Sequence, residues 1–314
     1  MDPYALPGAS QFDTITFTGN SQPTIGPESW YTWTKPFGKS MVSFVLIGAG
    51  GGGGAGAIAA AGAAGGGGGG GSGAMTVVEI PAALLPPVLY IAVGHATIGT
   101  SSNTIAPATW VSTQPNKVAN NVIATAAAGT MGGTSLDATA ASGGPAGLIA
   151  NAAQMPLGWP YVKSVLAGQA GANGGSVSSG ASVTLSLAGH HVTGGCGGGG
   201  LPASGTGAIG GGLTVPGTPS YFLAHIGGTG PTTATQPANN GKSGFNIRDA
   251  GFFSYGGSGG SSTHAAATGV GRVQSTGGNG GIGSGGGGGG GAITGSTPGG
   301  ASYGGPGMVM ITCY

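Results

Sequence analysis

The chain has 314 residues, of which 77 are glycine and 20 proline, with seven basic and six acidic side chains and a net charge of +1. With 39% apolar residues it falls outside the disordered class, which combines high net charge with low hydrophobicity. Runs of seven glycines exclude the strict Gly-X-Y period of collagen.

In chain order, residues 1–28 read as an N-terminal arm interrupted by Pro3, Pro7, Pro23 and Pro27. Within it, Asp13 to Thr18 alternates polar and apolar residues and predicts one strand, either part of an arm reaching a neighbour or an edge strand of the body. The body, 29–314, opens with Trp30 to Thr34 as a strand and Lys35-Pro36-Phe37-Gly38 as a turn. Met41 to Ile47 (MVSFVLI) is apolar on both faces, as in a strand buried on both sides. A glycine block follows to Gly73, then strands Met75 to Ile80 and Val88 to Val93, with prolines between them. The order strand, glycine block, strand, Pro turn, strand returns at Val183 to Leu187, Leu213 to Val215 and Tyr221 to Ile226. That return suggests repeated halves, 29–178 and 179–314. Met308 to Thr312 closes the chain as a strand. The stretches 57–64 and 118–128 favour helix by propensity but carry no caps or polar face. The expected fold is mainly β with extensive glycine-rich coil and little or no helix.

The longest glycine runs are 50–54, 65–71, 197–200 and 285–291. Two readings fit them. One is a bundle of polyglycine II helices, three residues per turn, whose backbones pair side by side because no Cβ separates them. In that geometry 65–71 spans roughly 22 Å. The other is a set of ordered loops between strands.

The segment YTWTKPFGKSMVSFVLIGAGGGGG from Tyr31, with SGAMTVVEIP from Ser72, YIAVG from Tyr90 and GGPGMVMIT from Gly304, resembles the glycine-rich domain of bacteriophage tail fibres and related virion proteins. A typical domain of that kind is shorter, so the stretch 100–260 reads as an insertion or a second copy, and Pro81-Ala82 stands where the family has Pro-Gly, which Pro216-Gly217 keeps in the second unit. The resemblance implies an oligomeric virion component displayed on the particle surface, in contact with other virion proteins.

Few residues carry chemistry. Gly48 to Gly53 matches G-x-G-x-x-G after a strand, but glycines occupy the place of the helix a dinucleotide site needs, and Glu79 is too distant for the ribose contact. His190, His191, Cys196 and His225 lack the supporting shell of a metal centre, and the histidines read as surface groups. Cys196 and Cys313 are too few for a disulfide framework, though one bridge can form. The six acids are scattered, no G-x-S-x-G or H-E-x-x-H occurs, and no cofactor or enzymatic activity is expected. The basic residues form no cluster, so nucleic acid is not an expected partner, and the uncharged stretch 40–78 is too rich in Gly and Ala for membrane insertion. The aromatics Trp159, Tyr161, Phe252, Phe253 and Tyr255 are the candidate surface-binding residues, with core or subunit-interface filling as the alternative. Expected partners are virion proteins and a host-surface glycan or protein. A homotrimer is expected, because threefold winding stiffens fibres and low charge suits subunit contacts. Readings kept alongside a tail-fibre or receptor-binding role are a capsid decoration, cement or head-fibre protein and, from another class, an ice-binding protein.

Overall fold

A computed structural model describes residues 13–21, 28–59, 62–99, 105–185, 192–215, 224–233, 236–247, 253–264, 275–293 and 300–314. Among these residues the fold is mainly β and contains no α-helix. It has two parts that share their chain segments, a β-sandwich and a bundle of glycine-rich extended segments.

The sandwich holds the longer strands. One sheet has the order β1 (Asp13–Thr18), β15 (Met308–Cys313), β3 (Met41–Ile47), β5 (Met75–Pro81) and β9 (Val162–Leu166). The other has β2 (Glu28–Thr34), β6 (Val88–Gly94), β7 (Thr109–Ser112) and β8 (Val122–Ala126), and every neighbouring pair in both is antiparallel. Val42, Phe44, Leu46, Val78, Leu89, Ile91, Val309 and Ile311 fill the space between the sheets, and Trp33 meets Phe44 edge-on with ring centroids 6.2 Å apart. β3 buries alternate residues, with Met41, Ser43 and Val45 only half-covered, so it is a one-face strand of an antiparallel sheet and not a strand buried on both sides. Ile47, at its end, turns into a second cluster with Val192, Ile282 and Met308 at the junction with the bundle.

Asp13–Thr18 forms the edge of the body's first sheet, the second of the two readings for that segment. The region 118–128 is strand β8 preceded by one 3-10 turn, because its apolar side chains are taken up by the sandwich core, which outweighs helix propensity. The two halves of the repeating pattern are built differently. In the second half, β10 (Val183–Thr184) and β11 (Leu213–Thr214) pair for two residues only, while β15 enters the first half's sheet.

The strands continue directly into the bundle, and there the hydrogen bonding changes period. Along 65–74, the amides of Gly65, Gly68, Gly71 and Ala74 donate to 127–137, those of Gly66, Gly69 and Ser72 to 169–175, and those of Gly67, Gly70 and Gly73 to 283–289. Its carbonyls accept from 48–57, from 141–147 and from 195–198 in the same threefold rotation. One segment therefore has six hydrogen-bonded neighbours, reached by turning a third of a circle per residue. That is the lattice of polyglycine II, and of the two readings for the glycine runs it is the helix bundle that the chain adopts. The other long runs lie in similar surroundings. Segment 193–201 bonds to 64–70, 254–260, 178–181, 172–175, 285–291 and Gly211.

The lattice explains where glycine is required. A Cβ at Gly69 would lie 2.0 Å from the Gly195 carbonyl oxygen, and one at Gly198 would lie 2.0 Å from that of Gly289. Segment 65–71 meets such a contact, at 2.2 Å or less, at every position and keeps glycine throughout. The outer segment 167–174 keeps it only at Gly168, Gly171 and Gly174, which face 65–74, and exposes Ala167, Ala170 and Asn173 between them. At the outer margin, side chains replace the missing neighbour. Asn240 Oδ1, Ser243 Oγ and Asn246 Oδ1 accept from the amides of Thr276, Asn279 and Ile282, three residues apart on both segments. Backbone donors that would otherwise lie bare are thus satisfied.

Candidate attachment surface

The segments alternate in direction, running out from the sandwich and back. The outward ends of 48–57, 127–136, 167–176 and 192–201 lie level with one another, since Ala57 bonds Gly65, Gly65 bonds Asp137, Gly66 bonds Gly175 and Gly200 bonds Ser178. The described residues of the turns between segments, 58–59 with 62–63, 136–139, 176–179, 202–206 and 231–233 with 236, therefore gather at the end of the bundle farthest from the sandwich. Gly62 and Gly205 take positive φ, 92° and 91°, to close two of them. Asp137 closes another by accepting from the Thr139 amide and hydroxyl, each at 2.6 Å, and these bonds hold its carboxyl below the usual carboxylate range.

This tip exposes apolar side chains on a rigid base. Leu136 is 87% exposed, and Ile58, Val177 and Ile209 are also open to solvent. A concavity of about 640 Å³ lies between the turns 176–179, 202–206 and the segment 229–232. At the opposite end the turns 35–39 and 82–87 are joined by Lys35 Nζ, which donates to the carbonyls of Ala82 (2.6 Å) and Leu85 (2.7 Å).

The sequence-predicted aromatics do not form one site. Trp159, Pro160 and Tyr161 make a 3-10 turn ahead of β9. Trp159 is partly exposed, as are Leu148, Ile149 and Leu157 earlier in the chain, while Tyr161 packs against the sandwich core. Tyr255 is fully buried and is corrected from a surface-binding residue to a core residue. It fills a second core with Val183, Leu185, Cys196 and Leu213, 4.7 Å from the Phe245 ring, on whose other neighbour, His225, Phe245 stacks at 4.9 Å. The reason is space: aromatic volume is needed where the glycine lattice ends and the short pairs β10–β11 and β12 (Asn246–Ile247) with β13 (Phe253–Ser254) begin. Phe253 opens β13 opposite Ile247. Phe252, His190 and His191 lie outside the described residues.

Cys196 and Cys313 are free thiols in different clusters. Cys196 is buried, and burial pushes its thiol up to about 12. His225 is half-buried, and desolvation with the nearby Lys242 holds its imidazole below the usual range. Ser29 Oγ and His95 Nε2 are 2.7 Å apart, and with His95 buried the contact ties β2 to the chain leaving β6.

Burial of Cys196 and Tyr255 has a pH consequence. Each has a folded pKa of about 12, raised from ordinary values of 9.0 and 10.0 by loss of hydration. The unfolded chain therefore releases these protons first as pH rises. Their contribution is complete below pH 9 and is lost progressively between 9 and about 12. Denaturation midpoints measured from pH 8 upward should fall across that window. Tyr255→Phe should flatten the later part of the fall; an unchanged profile in that variant would contradict the assignment.

The turns at the tip were not singled out by the sequence. Their signal is the loss of the three-residue glycine spacing, visible only once the lattice is known. No protein-family model matches the chain, and no curated protein matches it.

Proposed function

We propose that this chain is a phage virion structural protein, a tail-fibre or receptor-binding component that presents the bundle tip to the host surface. The observation that carries the reading is the clustering of the varied, partly apolar turns at the far end of a stiff glycine lattice, opposite the sandwich. Turns on such a scaffold can change sequence without disturbing the hydrogen-bonded interior, and binding surfaces are commonly built that way. The resemblance of the Tyr31–Gly54 and Gly304–Thr312 frame to glycine-rich domains of phage fibres supports the virion setting. Purified protein should bind host cells and not empty capsids; binding to capsids alone would favour the decoration or cement reading.

The trimer is a separate proposal with a narrower basis. The glycine runs find their partners within one chain, so threefold winding is not needed to build the bundle. Scarcity of charge is what favours subunit contacts here. Sedimentation at working concentration should give a trimer, and a monomer would remove that part of the proposal.

A further inference from the structure

The concavity at the tip differs from the rest of the bundle in how its hydroxyls are used. Inside the lattice, serine hydroxyls are spent on backbone groups. Ser258 Oγ accepts from the Lys242 amide, Ser261 Oγ from Asn239, Ser262 Oγ from Ala208, and Ser275 donates to the Ser261 carbonyl. Around the groove, the side-chain hydroxyls of Ser178, Ser179, Ser204 and Thr206 make no hydrogen bond to another described residue, although the Ser178 carbonyl accepts from the Gly200 amide. Thr229 Oγ1 accepts from Asn239 Nδ2 at 2.9 Å and keeps its own proton to give. Thr232 donates to Gln236 Oε1 at 2.9 Å and keeps its lone pairs.

We propose that this groove binds a neutral saccharide, and that this is the chemical class of host-surface ligand taken by the tip; the second clause rests on the function proposed above. A volume of about 640 Å³ suits a short oligosaccharide segment. Among the described residues no charged side chain lines it, so an anionic or cationic ligand would lose hydration and gain no counter-charge from them. Among the described residues no aromatic side chain lines it either, so they offer no deep apolar seat of the kind a protein partner's aromatic or Arg anchor needs. A polyol exchanges water for the six hydroxyls and rests its C–H faces on Val177, Pro202 and Ile209.

The test uses the full chain on an array of neutral oligosaccharides (maltotriose, cellotriose and lacto-N-tetraose among them) with sialyllactose and sulfated galactose as charged probes. Neutral probes should bind and the charged ones should bind no better. The triple variant Ser178→Ala, Ser204→Ala, Thr206→Val should weaken binding about tenfold to a hundredfold by removing donors and acceptors. Ser204→Trp, in an exposed turn, should abolish it by occupying the groove. Val118→Ser, at the sandwich end, should change nothing, and overlaid denaturation curves would show that all three variants fold. The proposal is overturned if no neutral probe binds, if a charged probe binds better, if the groove variants bind like the parent chain, or if binding passes instead to an unglycosylated host-surface protein. Host-cell binding is read in parallel. Cells bound equally well by the triple variant would leave the function standing and remove the groove as its receptor site. Neutral probes bound without any host-cell binding would leave the groove standing and remove the function.

Discussion

Gly70→Ala should abolish the cooperative fold. Its new Cβ would lie 2.0 Å from the Gly51 carbonyl oxygen, 2.5 Å from the Gly51 carbonyl carbon and 2.7 Å from the Gly52 oxygen. All three are backbone atoms of one neighbouring segment, and no side-chain rotation relieves the contact. Segment 48–57 cannot back away, because Gly51 donates to Gly71 and Gly54 to Gly68 while Gly286 and Gly289 bond its other side. Gly70 itself donates to Gly286 and accepts from Gly195. Moving any one helix breaks bonds to several others, each a buried polar pair that costs free energy when left open. The loss should exceed about 5 kcal/mol, which is beyond the ordinary range for a point change and comparable with the stability of a whole domain. Denaturation followed by circular dichroism measures it. Gly133→Ala is the control, because its nearest neighbour, the Ser142 oxygen, lies 3.1 Å away and can yield by a few tenths of an ångström. Equal, small losses in both variants would show that the runs are not packed as this lattice requires.

Ending the chain before Met308 should have an effect of similar size. β15 lies between β1 and β3, with Thr18 opposite Met308 on one side and Ile47 opposite Met308 on the other. Its removal separates the two strands and takes Val309, Ile311 and Cys313, all buried, out of the sandwich core. Each aliphatic side chain contributes roughly 1.5–3 kcal/mol when fully buried, and the ladder on both edges is lost as well. The truncated chain should lack dispersed methyl resonances in a proton spectrum and should not show a two-state transition. Thr312→Ala, on the exposed side of the same strand, should stay near the parent stability. A truncated protein that still unfolds cooperatively would mean that β15 is an appendage and not an internal strand.

Much of the frame was legible in the sequence. β1, β3, β5, β6 and β15 stand where alternation or apolar runs predict them, because each carries side chains that a half-buried pleated surface favours. β7, β8 and β9 were not legible. Thr109–Ser112 is short, Val122–Ala126 reads as helix by propensity, and Val162–Leu166 follows a proline turn; only packing against the other sheet decides them. The aromatic residues were visible but not their roles. Trp159 and Tyr255 look alike in local context, yet one lies partly open and the other is sealed in a core.

By itself the sequence determined that the chain is mainly β, and that its glycine runs demand close backbone contact, because no other side chain is small enough for it. Which neighbours those runs touch, and which of the two glycine geometries they take, was decided by the tertiary structure. Each residue of a threefold segment points at a different neighbour, and glycine carries no side chain to name it. The identity of the six partners around 65–74 is therefore written in the folding of the whole chain and in no single segment of it. The same holds for the tip: its turns are far apart in sequence and meet only because the lattice sets their lengths level.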